Sequence, residues 1–210
     1  MSERIAWPKL RYPLVAILRG IRPEETEAIV STLIEVGFEA IEIPLNSPDP
    51  FVSIEKAAKL APAHVLIGAG TVLSVENVDR LNDVGGRLLV SPNVEPDVIR
   101  RAAHHGMVTM PGVFTPTEAF AAIHAGASAL KFFPANVLGA EGIKAICAVL
   151  PKDIPVGAVG GVSENDFATY RAAGVSCFGL GSSLYKAGLT VADVRERAQR
   201  AVEAWNKIAG

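Results

Sequence analysis

A single (β/α)₈ barrel spanning residues 1–210 is the α/β fold this sequence predicts, from three observations. Eight short apolar runs recur along the chain, each is followed by a turn signal and a helix-periodic stretch, and the 210-residue length suits eight minimal units of that kind. The runs are Leu14 to Leu18, Ala40 to Ile43, Val65 to Ala69, Leu88 to Val90, Met107 to Met110, Ser128 to Lys131, Pro155 to Val159 and Cys177 to Leu180. They show little alternation, as expected of strands covered on both faces in a parallel sheet, and the helical stretches supply the crossovers that such a sheet requires. A doubly wound open sheet usually has fewer strands and a recognisable nucleotide crevice, so the closed barrel is preferred.

Helix boundaries are written in the usual chemistry. Pro23-Glu24-Glu25 and Ser74-Val75-Glu76-Asn77 read as helix starts, and Ser163 to Asp166 has capping-box spacing. Gly37, Gly106, Gly126 and Gly174 each close an Ala/Val-rich helical segment just before the next strand, where a left-handed residue is wanted. Ala135 to Gly139 reads as a loop after the sixth strand, and Thr190 to Ile208 as the final amphipathic helix.

Composition narrows the function. Half the residues are hydrophobic, 20% are charged and the formal net charge is −2, with Lys and Arg scattered singly. That pattern provides no basic footprint for nucleic acid or an anionic membrane surface, so a small-molecule partner is expected. Cys147 and Cys177 lie far apart without CxxC or Cys/His spacing, and both read as buried thiols in a reducing cytoplasm. The first residues lack a signal-peptide core, and no apolar run reaches bilayer-spanning length, which predicts a cytoplasmic protein. His64, His104, His105 and His124 fall away from the strand ends, and no HxH, HExxH or Asp-rich cluster supports a catalytic metal.

In a (β/α)₈ barrel the chemistry comes from the C-terminal ends of the strands and the loops after them. The polar residues and glycine loops there are Arg19, Glu42, Asn46, Thr71, Asn93, Lys131, Gly160-Gly161 and Gly181-Ser182. Lys131 lies in Ala129-Leu130-Lys131-Phe132-Phe133-Pro134, an ammonium among apolar neighbours. Desolvation lowers a lysine's pKa, and the neutral amine attacks ketones to form a Schiff base. Position alone equally allows a lysine reaching out of the barrel mouth or locked in an ion pair. Glu42, in Ala40-Ile41-Glu42-Ile43-Pro44, is a buried carboxylate suited either to proton transfer or to neutralising Lys131 or Arg19. Gly160-Gly161, before a helix start near Ser163, and the loop Gly179 to Ser183 offer backbone N–H groups to an anion at units seven and eight. Arg19 could fork onto a carboxylate with Thr71 as a hydroxyl donor, or form a salt bridge across the barrel mouth.

The segments Ala16-Ile17-Leu18-Arg19-Gly20, Glu42-Ile43-Pro44-Leu45-Asn46-Ser47-Pro48, Gly68-Ala69-Gly70-Thr71-Val72, Lys131-Phe132-Phe133-Pro134, Ala158-Val159-Gly160-Gly161-Val162 and Leu180-Gly181-Ser182 occur in this order. Through them the chain resembles, nearly end to end, the 2-keto-3-deoxy-6-phosphosugar-acid aldolases. The resemblance implies a metal-free and cofactor-free Schiff-base aldolase that cleaves a phosphorylated keto-deoxy sugar acid to pyruvate and glyceraldehyde 3-phosphate. It implies Lys131 as Schiff-base former, Glu42 as acid and base, Arg19 and Thr71 near the pyruvate carboxylate, and Gly160, Gly161 and Ser182 around the phosphate. It also implies a homotrimer. Gluconate-type members usually carry an Arg a few residues after the catalytic Glu and a Thr before the Gly-Gly pair, whereas this chain has Asn46 and Val159. Both favour the galactonate type, Val159 by removing a hydrogen bond to the substrate's C4 hydroxyl.

Overall fold

The computed structural model describes residues 4–209. Its strands are β1 (Leu14–Ile17), β2 (Ala40–Pro44), β3 (Leu66–Gly70), β4 (Leu88–Val90), β5 (Val108–Met110), β6 (Gly112–Val113), β7 (Leu130–Phe132), β8 (Val156–Val159) and β9 (Cys177–Leu180). Its helices are α1 (Pro23–Val36), α2 (Pro50–Leu60), α3 (Val75–Asp83), α4 (Pro96–His104), α5 (Pro116–Ala125), α6 (Ala135–Cys147), α7 (Phe167–Ala172) and α8 (Val191–Ala209). Every pairing in the sheet is parallel, in the order β5-β4-β3-β2-β1-β9-β8-β7-β6.

All eight expected strands are present, and the ninth is half of the fifth. Pro111 has no N–H to give the ladder, so this stave is split into β5, which pairs with β4, and β6, which pairs with β7. The two ends of the sheet are therefore consecutive in the chain. Ala129 N donates to Thr109 O at 3.0 Å and Lys131 N to Pro111 O at 2.9 Å, closing the barrel.

Alternation along each strand separates two apolar populations. Ile41, Ile43, Leu130 and Phe132 face the helices and belong to the large outer core. Val15, Ala40, Leu88, Val108, Ala129 and Cys177 fill the interior, against which Ile5, Trp7 and Leu10 of the leading segment pack. Glu42 stands two residues after Ala40 and Lys131 two after Ala129, so both point inward. Glycines provide the room. A Cβ on Gly68 would overlap the Leu88 carbonyl, and one on Gly157 would overlap the Met110 methyl.

The helix caps follow the expected chemistry with two differences. Ser74 Oγ accepts from Asn77 N, and the Glu25 carboxylate accepts from Arg22 N. Gly37 and Gly126 end α1 and α5 at φ 111° and 97°. Ser163 is capped by Asp166, but the turn it opens is 3₁₀ (Glu164–Asp166) and the α-helix after it has six residues. The expected loop at Ala135 to Gly139 is instead the first turn of α6, interrupted at Gly139 (φ 73°, ψ 165°). Cys177 is buried as expected, whereas Cys147 is partly exposed because it ends α6 at the surface. Among the described residues no helix is long and apolar enough to cross a membrane.

Gly68→Ala is expected to lower unfolding free energy by about 2–3 kcal/mol, from overpacking against backbone. Gly106→Ala, with φ 74° but nothing within 4 Å of its added carbon, should lose about 1–2 kcal/mol from conformation alone. Urea denaturation checks both, and equal losses would show that crowding is not what requires glycine at position 68.

Candidate active site

Above the apolar interior, β2 presents Glu42 and β7 presents Lys131, 3% and 6% exposed. Burial pushes the Glu42 carboxyl up to about 7, against the opposing pull of the Lys131 and Arg19 charges. Burial likewise pushes the Lys131 ammonium down to about 8; Glu42 works against that fall and Arg19 adds to it. The two groups sense each other, yet the Glu42 Oε2 atom is buried without a hydrogen-bond partner. Among the described residues Glu42 forms no salt bridge with Lys131 or Arg19. An unpartnered buried carboxylate oxygen costs free energy and is available to a proton on something else. Lys131 Nζ lies 4.7 Å from the centre of the Phe133 ring, which fixes the amine near the barrel mouth.

A cavity of about 640 Å³ lies at the C-terminal ends of β1, β8 and β9. Its wall includes Arg19, Val159, Gly160, Gly161, Gly181 and Ser182, which the sequence singled out. It also includes Phe133, Tyr185 and Lys186, which the sequence did not. Lys131 and Glu42 are not part of the wall itself; they adjoin it through Phe133 and through the charge of Arg19. Thr71 is also off the wall, one residue past β3, at φ 57°. That backbone region is strained for a β-branched residue, a feature that collects at functional sites.

Several neighbours set the geometry. Arg19 Nη1 donates to Asn46 Oδ1 at 2.8 Å, so the guanidinium is held by an amide oxygen; a salt bridge across the mouth is not what holds it. Gly20 N donates to Ser47 Oγ at 2.9 Å, tying the loop after β1 to the loop after β2. Asn136 N donates to Gly160 O, and a side chain on Gly161 would run into the Asn136 side chain. The segment Ala135 to Gly139, which the sequence left without a role, is thus the buttress of the Gly160-Gly161 turn. Among the described residues the amides of Gly161, Gly181 and Ser182 make no backbone hydrogen bond. At the short helix after Ser163, the Asp166 carboxylate accepts from the Ser163 N–H and hydroxyl, both at 2.8 Å.

The signals for the missed residues differ. Lys186 lies four positions beyond Ser182 in the same loop, and that closeness in sequence is its signal. Gly70 had no signal: its importance appears only when a Cβ placed there overlaps the Glu42 carboxylate. Among the described residues no group of three or more His, Cys, Asp or Glu side chains could hold a metal ion.

A closed parallel barrel with a buried amine of lowered pKa, a carboxylate of raised pKa and a glycine-lined cavity adjoining them fits the lysine-dependent aldolase class. The chain belongs to the KDPG and KHG aldolase family, whose model matches residues 9–201. It is 65% identical over 208 residues to a probable 2-dehydro-3-deoxy-6-phosphogalactonate aldolase of Rhizobium meliloti (strain 1021), covering 99% of this chain and 98% of that relative. It is 49% identical over 197 residues to the 2-dehydro-3-deoxy-6-phosphogalactonate aldolase of Escherichia coli (strain K12), covering 94% and 96%. A solved structure described as native KDPGal superposes with a TM-score of 0.94 at 48% identity, covering 97% of this chain and 98% of that one.

Gly70→Ala should displace the Glu42 carboxylate while sparing the rest of the barrel. The expected outcome is a loss of aldol cleavage of at least about a hundredfold, of the order general acid–base catalysis contributes, with near-parental circular dichroism. Parental activity would show that the carboxylate's present position is not required.

Proposed function

We propose that this protein cleaves 2-dehydro-3-deoxy-6-phosphogalactonate to pyruvate and D-glyceraldehyde 3-phosphate through a Schiff base on Lys131. The observation that carries the reading is the buried pair itself, a lysine near 8 beside a carboxylate near 7 with an unpartnered oxygen. At pH 7.5 a lysine at about 8 is roughly one quarter neutral, against about one part in a thousand for an unperturbed one. The neutral amine attacks C2 of the keto acid and loses water to give an iminium. Glu42 as carboxylate takes the C4 hydroxyl proton, the C3–C4 bond breaks, and its electrons pass into the iminium to leave an enamine and the aldehyde. Glu42 then returns its proton to C3, and hydrolysis of the new iminium releases pyruvate and the free amine. A carboxyl near 7 suits both proton steps close to neutral pH.

Arg19 is assigned to the substrate carboxylate, with Thr71 as a further donor on that side. Gly160, Gly161, Gly181 and Ser182 are assigned to the phosphate, through amides that need no basic side chain. Val159 on the cavity wall places an apolar group where a hydroxyl would read the C4 configuration, which supports the galacto epimer. A wall of this kind discriminates by roughly 1–3 kcal/mol, so the gluco epimer is expected to be cleaved more slowly, by about 10- to 200-fold. The homotrimer is carried over from the family: sedimentation equilibrium should give three times the 22.1 kDa chain mass, and a monomer would remove it.

Incubation with pyruvate and borohydride, followed by peptide mapping, should place a stable adduct on Lys131, and Lys131→Ala should form none and turn nothing over. No adduct on any lysine would favour a non-catalytic sugar-phosphate-binding barrel. The pH dependence has a definite sign. A negative Glu42 holds the ammonium on Lys131, so Glu42→Gln should move the midpoint of trapping below about 8; an unmoved midpoint would mean that the two groups are independent.

A further inference from the structure

The wall of the 640 Å³ cavity carries two formal charges, Arg19 and Lys186, both cationic. Arg19 is engaged at the reacting end, where it is held by Asn46 and acts on the pKa of both Glu42 and Lys131. Lys186 is different: it is exposed, and among the described residues it makes no side-chain hydrogen bond or ion pair. Its backbone is nevertheless fixed. Leu184 N and Tyr185 N both donate to Gly181 O at 2.9 Å, and Leu189 N donates to Lys186 O at 3.1 Å. Leu184 and Tyr185 are buried, and a Cβ placed on Gly20 would reach the Ala187 methyl. One end of this anchored loop therefore holds the free amides of Gly181 and Ser182, and the other holds an uncommitted ammonium. The Ser182 carbonyl is turned away to Arg197 of α8.

We infer that Lys186 is a specificity-determining residue that selects the phosphorylated substrate by pairing its ammonium with the phosphate dianion bound at the glycine loops. The inference rests on the aldolase reading and assigns a role within the same site. Loop amides supply only partial positive charge, whereas a full cation on a flexible stem adds a charge-assisted contact that a phosphate receives and an unphosphorylated hydroxyl does not. Because Lys186 is exposed, holding it there costs no desolvation, and its contribution is screened by salt.

The test compares the parent with Lys186→Met and Lys186→Arg on two substrates, the phosphorylated keto-deoxy acid and its unphosphorylated counterpart. Lys186→Met is expected to raise KM for the phosphorylated substrate roughly tenfold, the low end for a charge-assisted contact, with kcat little changed. Lys186→Arg should recover most of that loss, and the penalty should shrink at high ionic strength. On the unphosphorylated substrate Lys186→Met and the parent should have the same kcat/KM. An unchanged KM for the phosphorylated substrate overturns the inference, and so does an equal loss on both substrates, which would mark Lys186 as a loop-packing residue. Absence of a borohydride-trapped pyruvate adduct on Lys131 in the parent is read separately; it would remove the aldolase reading and this inference with it.

Discussion

Removing Glu42 and Lys131 from water together is the constraint on which the rest of the site depends. Each burial opposes the charged form, so the carboxyl rises to about 7 and the ammonium falls to about 8, and each partner's charge partly resists the other's shift. The cost to stability is on the order of a few kcal/mol for each group. Its pH dependence is signed. The raised Glu42 makes the fold less stable as pH climbs from 4.5 through about 7, and the lowered Lys131 makes it more stable as pH climbs from about 8 to 10.5. The fold is penalised most between 7 and 8, the range in which the proposed chemistry needs both groups, a trade of stability for activity that active sites commonly show.

The architecture around the pair serves to hold it without quenching it. A direct ion pair would raise Lys131 and satisfy Glu42, and both would lose reactivity. The barrel avoids this by spacing them on different staves, with Glu42 on β2 over Gly70 and Lys131 on β7 beside Phe133. Glycines at 68, 70 and 157 hollow the interior at the level where the two side chains lie. Asn46, Ser47 and Asn136 then tie successive loops together above them, so that the guanidinium and the amide groups are in place before any substrate arrives.

Much of this was legible in the sequence because a parallel barrel writes its strands as apolar runs and its helix ends as Pro, Ser and Gly. The eight staves were found in register with the chain, and Glu42 and Lys131 stood out as charges inside such runs. What local pattern could not show depends on contacts between distant segments. Pro111 splits a stave, a fact of ladder hydrogen bonding that an apolar run does not reveal. Ala135 to Gly139 looked like a loop because Gly139 interrupts its periodicity, and its function as a buttress depends on Gly160, 21 residues beyond it. Arg19 was legible as a site residue, but its Asn46 partner and Gly70's clearance for Glu42 exist only in three dimensions.

Glu42 and Lys131 are expected to titrate close together inside the fold. This is tested most directly by NMR titration of the free enzyme labelled with ¹³C at lysine Cε and glutamate Cδ, assigning Lys131 and Glu42 from Lys131→Met and Glu42→Gln spectra. Lys131 is expected to titrate near 8 and Glu42 near 7, each perturbed by removal of the other. A Lys131 that titrates near 10.5 together with a Glu42 near 4.5 would contradict it, because neither side chain would then be desolvated enough to act near neutral pH.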